Sequence, residues 1–198
     1  MFSKKKIICI TGADGTGKST LINSLREKNS SIVVSEIWDA LEGNKLFKSK
    51  RDVDNYLCTL TPESRLLFLA HARKYSIDKV LGSDAPVVIL NSYYYKYFAT
   101  EAALGATSNL VEILIAAFPK PDVVLRLVLP ISESVKRKTV FSRYECGLAD
   151  IPSSVNFCTF QAKALMMWNV FDQSDWHEID SGDSKEKILT QALQLTGI

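Results

Sequence analysis

Three glycines, an aspartate, a lysine and a serine fall within eight residues near the start of the chain, in Gly12-Ala13-Asp14-Gly15-Thr16-Gly17-Lys18-Ser19. Glycines at that spacing let backbone N–H groups close around an anion without side-chain clashes. The lysine adds a positive charge, and the serine adds a hydroxyl suited to a hard divalent cation. An isoleucine-rich run over 6–11 reads as a buried strand, and Lys18–Arg26 carries Leu21, Ile22 and Leu25 at helical spacing. The loop therefore joins a strand to a helix whose N-terminus favours negative charge. Together these features make a phosphate-binding P-loop. Gly12, Ala13, Asp14, Gly15, Thr16 and Gly17 would wrap the phosphates, and Lys18 would reach the β- and γ-phosphates. Ser19 would ligate Mg²⁺, and Thr20 would lie near the α-phosphate. The expected ligand is ATP or a close relative, with Mg²⁺.

Further strands are expected at 32–37, 86–90, 122–129 and 177–180. Helices are expected at 109–118, 132–140, 154–171 and 184–195, with a further one over Asn44–Lys50. Thr61-Pro62-Glu63 opens another helix, with Thr61 as N-cap and Pro62 at the first helical position, and this one runs to Leu81 before Gly82. Continuous apolar strands alternating with helices imply a parallel sheet covered on both faces. The expected fold class is α/β, a P-loop NTPase fold with a five-stranded parallel sheet, helices on both faces and the first strand central. Residues 1–198 are expected to form one domain, since no repeat or linker interrupts them.

Bulk properties narrow the partners. A net charge of +2 gives no strong field for nucleic acid or a membrane surface. No run approaches the roughly 20 apolar residues of a membrane helix, and a cytoplasmic location is expected. Cys9, Cys58, Cys146 and Cys158 are scattered, and His71 and His177 form no zinc signature with them. A guanine-specific switch would need Asn-Lys-x-Asp, and Asn44-Lys45-Leu46-Phe47 lacks the aspartate.

The whole chain resembles the thymidylate kinase family of nucleoside-monophosphate kinases, through four places. The loop has the family's Asp-Gly-x-Gly-Lys core, and the resemblance implies that Asp14 contacts the acceptor sugar. Leu66-Leu67-Phe68-Leu69-Ala70-His71-Ala72-Arg73 is similar to the family's apolar helix ending in a phosphate-clamping arginine, here Arg73. The base-stacking aromatic of that helix falls on Leu69, with Phe68 one residue away. After the strand 86–90 the family carries Asp-Arg-Tyr. Here Asn91 stands for the acid, Ser92 for the arginine, and Tyr93 keeps the aromatic. Lys96 is then the replacement cation for the acceptor phosphate, and the tyrosines around it suggest an aromatic wall beside a base or a packed interface. Finally, a lid segment around 136–150 carries Lys136-Arg137-Lys138 and Ser142-Arg143-Tyr144-Glu145. Because Gly15 and Thr16 put no base inside the P-loop, the resemblance makes Arg137 and Arg143 catalytic alongside Lys18.

Such a site needs alignment and positive charge more than a general base, because an acceptor monophosphate is already an oxyanion. The resemblance implies transfer of the ATP γ-phosphoryl group to a deoxynucleoside monophosphate, dTMP above others, and a small-molecule nucleotide partner. It also implies a homodimer. Two alternatives stay open: a kinase of the same fold with a nucleoside or metabolite acceptor, favoured by Asn91 and Ser92, and a non-enzymatic ATP-binding protein.

Overall fold

The computed structural model describes residues 5–41, 47 and 49–198. Its sheet has five strands: β1 (Lys6–Gly12), β2 (Ile32–Ser35), β3 (Val87–Asn91), β4 (Val123–Val128) and β5 (Trp176–Asp180). The order is β2-β3-β1-β4-β5, and every pairing is parallel. β1 is central as expected, with Ile8 in register between Ile89 of β3 and Val123 of β4. The carboxyl ends of β3, β1 and β4 therefore converge beside the P-loop, at the point where the chain switches sides.

Ile8, Cys9 and Ile10 are all fully buried, because β1 is covered on both faces. Alternate residues serve different layers. Ile8, Ile10, Ile89 and Leu125 pack against Leu21, Ile22 and Leu25 of helix α1 (Lys18–Lys28). Burying each of those three side chains contributes about 1.5–3 kcal/mol, which anchors the helix that opens at Lys18. Cys9, Val88 and Leu90 face the opposite layer.

That second layer begins with helices α2 (Lys50–Leu57), α3 (Pro62–Leu81) and α4 (Tyr93–Ala103). The expected helix over 44–50 lies mostly outside the described residues, and α2 starts at its last residue. α3 has the expected bounds, and Thr61 accepts a hydrogen bond from the Ser64 N–H at 3.3 Å. α4 had no counterpart among the expected helices. It starts from two left-handed residues, Ser92 (φ 64°) and Tyr93 (φ 44°), and carries four tyrosines, none of which signals a helix start. Non-glycine residues held this way cost on the order of 1–3 kcal/mol each and tend to cluster at functional sites.

The chain continues through helices α5 (Ser108–Ile115), α6 (Ile131–Ser134), α7 (Ser154–Met166) and α8 (Lys185–Thr196). The expected helix over 132–140 is corrected: α6 ends at Ser134, one 3₁₀ turn follows over Val135–Arg137, and Lys138 is extended. The segment 138–143 is therefore irregular chain leading to a 3₁₀ turn at Tyr144–Cys146.

Candidate active site

The P-loop has the geometry that its residues predict. Gly12 takes φ 144°, where a Cβ would collide with the Leu127 carbonyl oxygen. Gly17 takes φ 88° just before α1, and the space a Cβ would fill opens toward the Arg137 guanidinium, 3.9 Å away. Lys18 curls over the loop and donates to the carbonyl oxygens of Gly12 (3.0 Å) and Ala13 (2.7 Å). Thr16 Oγ1 ties the turn by donating to the Ala13 carbonyl at 2.9 Å. Burial pushes the Lys18 amine down to about 7, the Lys96 charge pushes the same way, and Asp14 opposes both.

A cavity of about 570 Å³ adjoins this loop. Gly15, Gly17 and Thr20 line one side, Arg137 and Asp183 another, and Leu127 and Ile188 give it apolar walls. Arg137 is braced there, since its NH2 donates to the Ser181 carbonyl at 2.8 Å. The size, the glycine-lined floor and the adjacent cation fit a nucleoside triphosphate. Ser19 and Thr20 stay exposed in the first turn of α1. Among the described residues no cluster of three or more acidic, His or Cys side chains could cage a metal. The donor set fits Mg²⁺ held by the Ser19 hydroxyl, phosphate oxygens and water.

Asp14 projects from the loop to the other side and meets α4. Lys96 Nζ lies 2.5 Å from Asp14 Oδ1, and both side chains are under 20% exposed. Burial alone would raise the Asp14 carboxyl, but the charges of Lys96 and Lys18 outweigh it and hold the group below the usual carboxylate range. Burial alone would lower the Lys96 amine, and Asp14 outweighs that in turn. Two residues of the segment expected as a lid close the ring: Lys138 pairs with Glu145 at 3.1 Å, and their charges bear on Lys18.

The remaining expected acceptor residues sit elsewhere. Arg73 is fully buried and braces two strand ends, its NH1 donating to the Ser35 carbonyl (3.2 Å) and its NH2 to the Asn91 carbonyl (2.5 Å). In this arrangement the guanidinium faces protein rather than an open pocket. Asn91 donates from Nδ2 to both Glu36 carboxylate oxygens, at 2.7 and 2.9 Å. A carboxylate is thus present at this strand edge, supplied by Glu36 just after β2. Its signal was a lone acid following an apolar strand.

Tyr93 is corrected from base wall to core residue. It has no exposed surface, its hydroxyl donates to the Pro119 carbonyl at 2.5 Å, and its ring packs on Tyr94, Tyr95 and Phe118. The tyrosine that borders the charged cluster is Tyr97, with Lys96 Nζ 5.5 Å and Arg73 Cζ 5.7 Å from its ring centre. Phe68 packs edge-on against Phe47 and Tyr56, and Leu69 is core. Arg143 turns onto its own loop, donating to the carbonyls of Ala149 and Leu148 and to Asp150 Oδ1 at 2.9 Å. The described structure brings together Asp14, Lys18, Lys96 and Arg137 around the loop, and does not bring Arg143, Phe68 or Tyr93 there.

No family model matches the chain. The chain is 28% identical over 202 residues to "Probable thymidylate kinase 1" of Saccharolobus solfataricus, covering 96% of each protein. It is 30% identical over 142 residues to the thymidylate kinase of Desulfotalea psychrophila, covering 68% of each. The solved thymidylate kinase of Candida albicans superposes with a TM-score of 0.71 at 19% identity, over 96% of this chain and 90% of that one, and thereby shows the shared P-loop NTPase fold.

Proposed function

On the premise that the chain belongs to the thymidylate kinase family, and so is an ATP-dependent phosphotransferase of nucleotides, we propose that it moves the γ-phosphoryl group of ATP to dTMP. The observation that carries this is the P-loop set between a 570 Å³ cavity beside Arg137 and the Asp14–Lys96 pair on its other side. ATP occupies the first region and the acceptor the second. In the transfer, an acceptor phosphate oxygen forms a bond to the γ-phosphorus. The bond to the bridging oxygen breaks, and its electron pair leaves with ADP. No proton has to move, which suits a site whose buried acid is already ionised.

Lys18 swings from the Gly12 and Ala13 carbonyls to the β- and γ-phosphates. Arg137 flanks the donor from its brace on Ser181. Mg²⁺ on Ser19 would neutralise charge on the transferring group. Lys96 holds the acceptor phosphate and Asp14 its sugar, so the ion pair they form opens to admit substrate. Arg143 contributes only after it releases Ala149, Leu148 and Asp150, which makes it a residue of lid closure. Because Arg73 is committed to strand ends and position 92 is uncharged, an acceptor without a phosphate is the alternative. Among the described residues no helix is long and apolar enough to cross a membrane. The exposed Leu67 and Tyr75 on α3 offer a face for a homodimer.

A panel of mononucleotides, nucleosides and small metabolites, scored by ADP release with Mg²⁺-ATP, tests the proposal. dTMP is expected to give the highest kcat/KM. A nucleoside or metabolite turned over faster than any monophosphate would replace it with the alternative.

A further inference from the structure

Glu101 of α4 is fully buried, and no expected role involved it. Its Oε2 accepts from Arg65 Nε of α3 at 2.7 Å, and its Oε1 accepts from the Tyr144 hydroxyl at 2.8 Å. Arg65 is equally buried and donates from NH1 to the carbonyls of Leu57 (3.1 Å) and Leu60 (2.9 Å). The carboxylate thus links two rigid helices to one residue of the lid segment. Tyr144 is the neighbour of Glu145, whose carboxylate pairs with Lys138 and accepts from the Ser142 N–H at 3.3 Å. Glu145 is fixed from its other side by Gln161 of α7, which donates to its carbonyl at 3.1 Å. Beyond it the chain turns through Gly147 at φ 69°, a position where any Cβ would run into the Phe160 ring. The turn therefore has one seat, and the hydroxyl of Tyr144 is the polar bond that ties it to α4.

We infer that Glu101 is a positioning residue of this kinase, acting through the Tyr144 hydroxyl to hold the Lys138–Glu145 pair beside the P-loop. This rests on the proposed phosphotransfer. Arg65 reaches only Oε2, across the two core helices, and the bond to Oε1 comes from a separate segment of the chain. The lid supplies that partner from 43 residues away in sequence, in the same turn as Glu145, which pairs with Lys138 of the preceding extended segment. Fixing that turn holds the local field around the phosphates constant from one turnover to the next.

Tyr144→Phe keeps the buried ring and removes only the hydroxyl. Two measurements on the full-length protein decide the inference. Backbone hydrogen exchange over 138–148, made without substrate, is expected to speed up about tenfold, while α3 and α4 keep their protection. Steady-state kinetics are expected to show kcat down about tenfold with KM for ATP within about twofold. Unchanged exchange in the lid, or loss of protection spread through α3 and α4, would overturn it and leave the network as core packing. Because the exchange measurement uses no substrate, it stands even if the acceptor proves not to be dTMP, and a wild-type protein inactive toward every acceptor would remove the phosphotransfer proposal instead.

Discussion

Lys18 shows how one residue can be read twice. Its place in the glycine loop was plain in the sequence, but its partners were not. In the structure its amine rests on two loop carbonyls, and burial followed by the Lys96 charge brings it down to about 7. Phosphates arriving at the loop would restore its proton. At pH 8 a group with that pKa is mostly neutral, so nucleotide binding should take up close to one proton, on the order of 0.9. Calorimetric titration with ATP in buffers of different ionisation enthalpy should therefore give a positive slope, lost in Lys18→Ala. A flat response in the native protein would mean that Lys18 is charged before ATP arrives. Arg73 makes the opposite case. The arginine at the end of an apolar helix was legible as a clamp, yet the structure closes it over the ends of β2 and β3. Arg73→Ala should then lower stability by about 2–4 kcal/mol, since it strands buried carbonyl oxygens. Urea denaturation measures this, and a variant as stable as the native protein with only a raised acceptor KM would return Arg73 to the clamp.

At the scale of elements, what the sequence revealed follows from the range of the forces involved. β1, the P-loop and α1 are adjacent in the chain, and their signals are local: a continuous apolar run, spaced glycines, and Leu21, Ile22 and Leu25 on one helical face. The cap at Thr61 was equally local. Helix α4 escaped because left-handed Ser92 and Tyr93 replace an ordinary cap. Its tyrosines look like a ligand wall until the helix buries three of them against Phe118, Phe171 and Trp176. The pairs that shape the site span 82 residues from Asp14 to Lys96 and 43 from Glu101 to Tyr144, and spacing in sequence carries no trace of them. Such long-range pairs leave a signature in pH dependence. Burial raises the Glu101 carboxyl to about 7, with Arg65 and Tyr144 pulling the other way. Its ordinary value is 4.5, so between 4.5 and 7 the folded state binds the proton that the unfolded state has released. The stability this group contributes is then fully present below about pH 4.5 and lost as pH rises through about 7, a change of about 3 kcal/mol. The difference in unfolding free energy between the native protein and Glu101→Gln should fall by that amount over this window. A difference that is constant, or that grows with pH, would contradict the assignment.

For the molecule as a whole, the sheet order β2-β3-β1-β4-β5 sets the layout of the chemistry. The loop leaving β1 lies between β3 and β4, so one flank meets the 570 Å³ cavity under Arg137 and the other meets α4 with Lys96. Two anionic substrates approaching from opposite flanks would meet at Lys18 with their phosphates facing, and such alignment alone can lower a barrier by about 7–11 kcal/mol. That arrangement is the central claim, and the fate of the γ-phosphate tests it most directly. With γ-labelled ATP, Mg²⁺ and dTMP, the label is predicted to appear in the β-phosphate of dTDP, in step with ADP and with little free phosphate released. Label found only in inorganic phosphate, or in the monophosphate of an added nucleoside while dTMP stays untouched, would contradict it.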